Sequence, residues 1–362
     1  MRDNIFRSGP SMNLIDIKRW STKEQTAPTL QDDYSDYFWS AGGSEALAQI
    51  CGDLGSTKGQ VINVYLPSYF CGQSLRHLRA LPINLFFYSI DSELLPIYSN
   101  IRTSHRVNPV NVLVHVHYFG SIKAQEESRD LANELDAVLI EDCAHIISPY
   151  ALDNWRGDHL IFSPHKHFPL PKIALVISKN TRTNMTFKNY GRFPMAWFVK
   201  ELIKKFINKR RTVKWKKKWT SQYEFLNSYD VNFFTRRAAL SYLLDFKIPA
   251  EQRLLNARLL VAQLSGIGGW KPLQQIDQIC APYLLGMICD SAEIAERRFN
   301  IINRSSQVVM QWPDLPYEIK NTSFADQNSM LVERTLFFFI HQKVNIKEMS
   351  KRLDNLIVLP GF

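Results

Sequence analysis

Short apolar runs alternate with amphipathic segments along the first half of the chain. Each run is rich in Val, Ile, Leu, Phe or Tyr and is bounded by polar, Pro or Gly residues, which is typical of buried strands. The intervening segments repeat apolar residues at helical spacing, as in Leu47, Ile50 and Leu54. The predicted strands are residues 61–70, 83–91, 111–120 and 137–145, and the predicted helices include residues 74–81 and 124–135. This alternation predicts an α/β fold with a mostly parallel sheet flanked by helices.

The second half of the chain changes its pattern. The segments 158–168 and 172–180 each begin or continue with an apolar run and predict two further strands. Lys166 lies between the two apolar runs. Two amphipathic helices follow, and after them strands and helices form an α+β pattern. We therefore expect three parts, namely an N-terminal arm (1–36), a large domain (37–230) and a small α+β C-terminal domain (231–362).

Several chemically useful side chains fall where predicted strands end. In open parallel sheets, ligands bind at the carboxyl ends of the strands. The residues at such ends are Tyr69, Phe70, His117, Asp142 and His145. Their shared placement predicts a ligand site at one edge of the sheet.

A lysine in a loop and an acid at a strand end suggest a cofactor. Lys166 follows Asp142 by about twenty residues, and a pyridoxal phosphate (PLP) site needs both groups. The lysine would carry the aldehyde as a Schiff base, and the acid would pair with the pyridinium nitrogen. Strand alternation points either Glu141 or Asp142 inward, and Lys172 is the competing lysine.

Other residues predict the rest of the cofactor site. Gly43 and Ser44 begin a predicted helix and could hold a phosphate, as could Ser163, although an ordinary capped helix fits the same residues. Either Tyr69 or Phe70 could stack on the cofactor ring. His145 could reach the ring hydroxyl or orient the acid, and a structural histidine is an equal alternative. We expect no metal, because His115 and His117 have no acid or cysteine at ligand spacing in the sequence.

The composition indicates a cellular compartment and reveals one strongly basic segment. Five cysteines without a CxxC pair suit a reducing compartment, and without an apolar leader we expect a cytoplasmic protein. Between Lys200 and Lys218 there are ten basic residues and one acid, Glu201, so this segment holds nine of the ten net positive charges. Such local charge does not indicate a nucleic-acid binder. It is typical of a solvated surface helix or loop, or of a patch that contacts an anionic membrane at its cytoplasmic face.

Six segments together resemble a known family, the DegT/DnrJ/StrS-type sugar aminotransferases of PLP fold type I. Residues 42–47 (GGSEAL) resemble its phosphate loop, and residues 66–72 (LPSYFCG) resemble the strand-end loop that covers the cofactor. The remaining matches, in the family's order, are residues 116–120, 140–145, 157–166 and 336–345. The resemblance runs from about Tyr37 to the C-terminus.

The resemblance implies a reaction and a set of roles. Lys166 would be the Schiff-base lysine, Asp142 the pyridinium partner and His145 the residue near the ring hydroxyl. Gly43, Ser44 and Ser163 would serve the phosphate. The family implies a homodimer that moves an amino group, usually from glutamate, to a keto-sugar that is usually nucleotide-linked, in surface polysaccharide or related sugar biosynthesis. Lys166 would also act as the general base and acid.

Three features depart from the family pattern. Ile173 and Ala174 stand where the family has a glycine pair, Ser163 and Lys166 are two residues closer than in the commonest form, and the basic insertion of residues 198–219 is additional. The departures leave two alternatives open, which are another PLP reaction such as sugar dehydration and a non-catalytic binding or regulatory protein. Lys166 favours transamination, because dehydratase relatives have His at that position.

Overall fold

The computed structural model describes residue 34 and residues 36–179, 195, 197–199, 201, 231–265, 267, 269–276, 280–305, 308–312 and 314–357. The predicted N-terminal arm lies almost wholly outside the described residues. The basic insertion also lies outside them, apart from residues 198, 199 and 201. No helix in the described part of the chain combines the length and apolarity that crossing a bilayer requires.

An eight-stranded sheet forms the larger part of the described chain. Its strands lie in the order β1-β8-β7-β6-β5-β2-β3-β4, and the five central strands β7, β6, β5, β2 and β3 are parallel. The strands are β1 (Asp36–Ser40), β2 (Ile62–Pro67), β3 (Ile83–Ile90), β4 (Pro96–Ile97), β5 (Val112–Val116), β6 (Val138–Cys143), β7 (His159–Phe162) and β8 (Ala174–Ser178). The predicted mostly parallel α/β sheet is confirmed.

Helices cover both faces of this sheet because its strands are apolar on both faces. The helices of this part are α1 (Gly43–Lys58), α2 (Ser99–His105), α3 (Gln125–Glu134) and α4 (Pro164–His167). Ala46, Leu47 and Ile50 of α1 pack on one face of the sheet, against a core that includes Val64, Val114 and Ile140. Leu131 of α3 packs on the opposite face, in a core with Leu113 and Leu139.

A second, antiparallel sheet belongs to the C-terminal part of the chain. Its order is β11-β12-β10-β9, from β9 (Trp270–Pro272), β10 (Leu285–Cys289), β11 (Val309–Met310) and β12 (Thr335–Phe338). The accompanying helices are α5 (Phe233–Leu244), α6 (Lys247–Ser265), α7 (Ala292–Ser305), α8 (Ala325–Arg334) and α9 (Ile346–Ile357). Helices α6, α7 and α9 contribute to one core with β10 and β12.

The two parts meet through a shared aromatic core. Phe337 of β12 stacks on Phe119, which follows β5, with ring centroids 4.6 Å apart. Trp312 stacks on Tyr69, which follows β2, at 5.1 Å. The carboxyl ends of the parallel strands therefore face the second sheet. The division at residues 230 and 231 itself stays a prediction.

Local predictions fail in two places. Residues 74–81 do not form the predicted helix and instead contain short 3-10 turns, Gly72–Leu75 and Leu78–Ala80. Strand β1 was not predicted, although it pairs antiparallel with β8 from Asp36 opposite Ser178 to Ser40 opposite Ala174. Edge pairing gives β1 its structure, and such tertiary pairing leaves little periodic signal in five residues.

Candidate active site

Lys166 and Asp142 lie together at the carboxyl edge of the sheet. Asp142 is on β6, and Lys166 is on the short helix α4 that follows the neighbouring strand β7. Removal of water from around the amine lowers the pKa of Lys166, although the charge of Asp142 opposes this. Burial likewise raises the pKa of Asp142, against the effect of Lys166. A lysine and a carboxylate that influence each other in a water-poor site are what the predicted chemistry needs.

Strand alternation decides which acid faces the lysine. Asp142 lies on the same face of β6 as Ile140, which packs in the α1 core. Glu141 points to the opposite face and is fully buried there. One of its carboxylate oxygens accepts the N–H of Arg156 at 2.7 Å and that of Gly157.

Glu141 is a structural group because its other oxygen is equally engaged. That oxygen accepts from His117 Nε2 at 2.6 Å and from Gln125 Nε2 at 3.0 Å. Burial by itself raises the pKa of Glu141, but the hydrogen bond and charge of His117 outweigh it and lower the pKa below its usual range. Although His117, Glu141 and Cys143 place ligand atoms within 4.8 Å of one another, the four hydrogen bonds use all the lone pairs of this carboxylate. This cluster is therefore a hydrogen-bond network.

His145 stacks on two aromatic rings. The ring centroids lie 5.1 Å apart for Phe119 and 4.9 Å apart for Tyr283. The backbone N–H of Phe119 donates to His145 Nδ1 at 3.2 Å, which leaves Nε2 as the protonated nitrogen of a neutral ring. Burial, with the charges of Lys166 and His167, lowers the pKa of His145 well below its ordinary value. His145 is thus a fixed neutral donor beside Lys166.

The start of α1 forms a cradle for an anion. A Cβ atom on Gly43 would lie 3.1 Å from Ser163 Oγ, so the glycine and the serine face each other across a narrow gap. Ser163 is buried, and no described residue forms a hydrogen bond with its hydroxyl. Nor does any described side chain cap the N-terminus of α1. Backbone N–H groups and the hydroxyl of a serine beside them are groups that bind phosphate.

Ser44 differs from the expectation for its side chain. Its hydroxyl donates to the carbonyl of Ser74 at 2.6 Å and lies 2.9 Å from His77 Nδ1. The hydroxyl is therefore already engaged, and what Ser44 offers to an anion is its backbone N–H.

Tyr69 and Phe70 separate into different cores. Phe70 packs in the α1 core, whereas Tyr69 stacks on Trp312 and meets Tyr118 edge-on at 5.8 Å. The hydroxyls of Tyr69 and Tyr118 are buried and have no hydrogen-bond partner among the described residues. Burial, followed by the charges of Tyr69 and Asp142, raises the pKa of Tyr118 well above its ordinary value. Because buried hydroxyls normally have partners, this region suits a polar ligand.

Arg253 is a functional neighbour that sequence reasoning missed. It is fully buried on α6 and donates to the carbonyl of His167 at 3.0 Å, beside Lys166. It also donates to Gln342 Oε1 at 2.9 Å and, more weakly, to the carbonyls of Pro282 and Tyr283. Gln342 Nε2 donates to the same His167 carbonyl at 3.1 Å. A buried cation that spans both parts of the chain therefore fixes the lysine loop. In the sequence, Arg253 is only one charged position within an amphipathic helix, so no motif marks it.

Sequence comparisons return no matches, since neither a family model nor a curated protein matches the chain. Solved structures do match. The E. coli GDP-4-keto-6-deoxy-D-mannose-3-dehydratase with bound hydrated PLP has a TM-score of 0.69 at 15% identity, covering 97% of this chain and 99% of that one. Helicobacter pylori PseC, an aminotransferase involved in pseudoaminic acid biosynthesis, has a TM-score of 0.67 at 11% identity over 97% and 99% of the two chains. S. venezuelae DesV, solved in complex with a ketimine intermediate, has a TM-score of 0.60 at 13% identity over 90% and 85%.

These similarities extend over 85% or more of each chain, and the topology agrees with them. The expected large domain with a mostly parallel sheet and the smaller α+β part are both present. The chain therefore has the fold of the PLP-dependent enzymes of fold type I.

Proposed function

We propose that this protein is a PLP-dependent aminotransferase that moves an amino group, with glutamate as the expected donor, to a keto-sugar, which we expect to be nucleotide-linked. The observation that carries the proposal is the pairing of a water-poor Lys166 with Asp142 at the carboxyl edge of the parallel strands. Two solved proteins of the same fold support the reaction class, namely the aminotransferase PseC and DesV with its ketimine intermediate. Fold alone does not define a reaction, so the side chains of Lys166 and Asp142 carry the assignment.

The residues present fit the cofactor. The N–H groups at Gly43 and Ser44, with the free hydroxyl of Ser163, would hold its phosphate. Asp142 would hold a proton on the pyridine nitrogen, and the Nε2–H of His145 would donate to an oxygen on the ring. When bound, PLP supplies an electrophilic carbon and an electron sink.

The side chains then divide the work. Lys166 Nζ, whose pKa is lowered by its lack of water, would take the proton from the Cα of the amino donor and later return a proton as the acid. Arg253 and Gln342 hold the carbonyl of His167, which fixes the backbone next to that amine. The aromatic residues Tyr69 and Trp312 exclude water from this side of the site.

Colour tests the proposal directly. The purified protein mixed with PLP should be yellow, and glutamate should bleach it. Lys166→Ala should remove the colour, whereas Lys172→Ala should keep it at saturating PLP, which separates the two candidate lysines. A colourless wild-type protein that takes up no PLP would refute the proposal.

Dehydration of a keto-sugar is the second candidate. Its support is the E. coli dehydratase, which has the same fold over nearly the whole chain. Lys166 favours transamination, because a base that can also carry the cofactor suits repeated amino transfer. Incubation with a GDP-linked 4-keto sugar and glutamate distinguishes them, since mass spectrometry shows an added amine in one case and the loss of a hydroxyl in the other.

Two proposals concern assembly. We expect a homodimer, which light scattering of the purified chain can test.

We also propose that residues 200–218 contact anionic membrane, since ten basic residues lie there. Sedimentation with anionic vesicles is the test, and reversing the charge of Lys214, Lys216, Lys217 and Lys218 should abolish it. Unchanged sedimentation would contradict membrane contact by this segment.

A further inference from the structure

Lys172 lies directly over the start of α1. A Cβ atom on Gly42 would occupy the same space as Lys172 Cε and would lie 2.9 Å from Lys172 Nζ. The backbone of Gly42 is extended, with φ of 166°, so the absence of a side chain provides space here and does not relieve backbone strain. The amine therefore lies beside the N-terminal turn whose N–H groups face the cradle.

The sheet register explains this position. Strand β8 runs antiparallel to β1, and Ala174 lies opposite Ser40. Continuing that register by two residues on each strand brings Lys172 opposite Gly42. Side chains two residues apart point to the same face, and Ala174 packs in the α1 core. The Lys172 side chain is thus directed toward α1.

Positive charge accumulates at this point. Partial burial lowers the pKa of Lys172, and the charge of Arg76 lowers it further, while Glu45 opposes both. Arg76 Nε is buried and has no hydrogen-bond partner among the described residues. Two cations against one acid, at the positive end of a 16-residue helix, form a surface that favours a dianion.

We propose that Lys172 is the cation of this cradle, binding the phosphate monoester of PLP together with the N–H groups of Gly43 and Ser44 and the hydroxyl of Ser163. This inference rests on the proposed function, and it gives the second lysine of the loop a role separate from that of Lys166. Ser163 supplies the independent observation, since this residue is buried and its hydroxyl lies against the start of α1, 3.1 Å from where a Cβ atom on Gly43 would be.

Equilibrium binding of PLP and of pyridoxal, which lacks the phosphate, tests the role. Lys172→Gln should weaken PLP binding by about ten- to a hundredfold, the effect of losing one charge-assisted hydrogen bond, and leave pyridoxal binding unchanged. Gly42→Ala should act in the same direction without changing any charge, because its methyl group displaces the amine. Lys172→Arg should recover part of the affinity. Lys58→Gln, at the other end of α1, is the matched control and should bind PLP like the wild type.

The outcomes separate this inference from the proposed function. If the wild type turns yellow with PLP but Lys172→Gln keeps the same preference for PLP over pyridoxal, the inference is wrong and the proposed function stands. If the wild type shows no Lys166-dependent colour, the proposed function is wrong. A thermal shift with inorganic phosphate then decides about Lys172, because stabilisation that Lys172→Gln abolishes supports the cradle, and stabilisation that persists overturns it.

Discussion

Glu141 and Asp142 are neighbours in sequence, yet the structure predicts opposite consequences for their replacement. Glu141 accepts four hydrogen bonds with its buried carboxylate, on the face of the sheet away from Lys166. We therefore expect Glu141→Ala to destabilise the fold without removing the PLP-dependent colour of the molecules that remain folded.

The magnitude follows from the donors that lose their acceptor. The N–H of Gly157 cannot turn toward water, because Gly157 and the carboxylate are buried, and the N–H of the half-buried Arg156 loses the same acceptor. Each unsatisfied buried donor costs about 1–3 kcal/mol, so the two backbone N–H groups together cost about 2–6 kcal/mol. We expect a loss of about 4 kcal/mol, a large fraction of a total stability of about 5–15 kcal/mol.

Glu141→Gln should be much milder. The carbonyl oxygen of the amide can keep both backbone N–H groups. His117 Nδ1 lies 3.0 Å from the carbonyl of Ser121 and can carry the proton of a neutral ring, so that Nε2 accepts from the new amide. Gln125 can rotate its amide to accept the second hydrogen. The network then remains complete with weaker neutral bonds, at a cost of about 1 kcal/mol.

Urea denaturation followed by circular dichroism measures both variants. Glu127→Ala, on the exposed face of α3, is the control and should change stability by less than about 0.5 kcal/mol. Equal losses in the alanine and glutamine variants would refute the hydrogen-bond argument, because they would show that the charge alone matters. A wild-type urea midpoint in Glu141→Ala would refute the structural role altogether.

Three further predictions concern the site, the contact between the two parts and acid stability. Asp142→Asn should keep the yellow PLP adduct but slow its single-turnover bleaching by glutamate by about a hundredfold or more, because the negative charge at the ring nitrogen is lost. An unchanged bleaching rate would contradict the role of Asp142. Gly72→Ala should lower the urea midpoint, because its methyl group would lie 2.6 Å from the carbonyl oxygen of Leu315. Gly52→Ala is the control and should be neutral or stabilising, because its methyl group would lie 3.8 Å from its nearest neighbour, Leu81. Burial lowers the pKa of His159 from 6.5 to about 4, so between these pH values the folded state binds fewer protons than the unfolded state. The free energy of unfolding should therefore fall by up to about 3 kcal/mol as the pH drops from 6.5 to 4. A His159→Gln variant should lose that part of the pH slope, as a series of urea titrations would show.

The strands of the central sheet could be predicted because their signal is local. Buried parallel strands are apolar on both faces, so runs such as residues 111–120 and 137–145 are visible without any knowledge of their partners. The same holds for α1 and α3, whose apolar positions recur at helical spacing. Residues 74–81 have an equally helical pattern, yet they form 3-10 turns. The reason is tertiary, because the Gly72–Leu75 turn packs against residues 314 and 315 of the second part.

The ends of the strands could be predicted as a site, but the direction of each side chain could not. Alternation left Glu141 and Asp142 as equal candidates until the cores on the two faces were known. The neutral state of His145 depends on Phe119 and Tyr283, which are distant from it in sequence. Arg253 carried no motif, since its role comes from carbonyls that only the folded chain brings together.

The two lysines of the loop show most clearly what packing adds. In sequence, Lys166 and Lys172 differ only in their distance from the following strand, and Ile173 and Ala174 replace an expected glycine pair. In the structure, Ile173 and Ala174 are buried where β8 begins, and Ala174 pairs with Ser40 of β1. That pairing carries Lys172 to Gly42, while α4 keeps Lys166 beside Asp142. The loss of the glycine pair therefore leaves the proposed cradle intact, because the close approaches there are made by Lys172 at Gly42 and by Ser163 at Gly43.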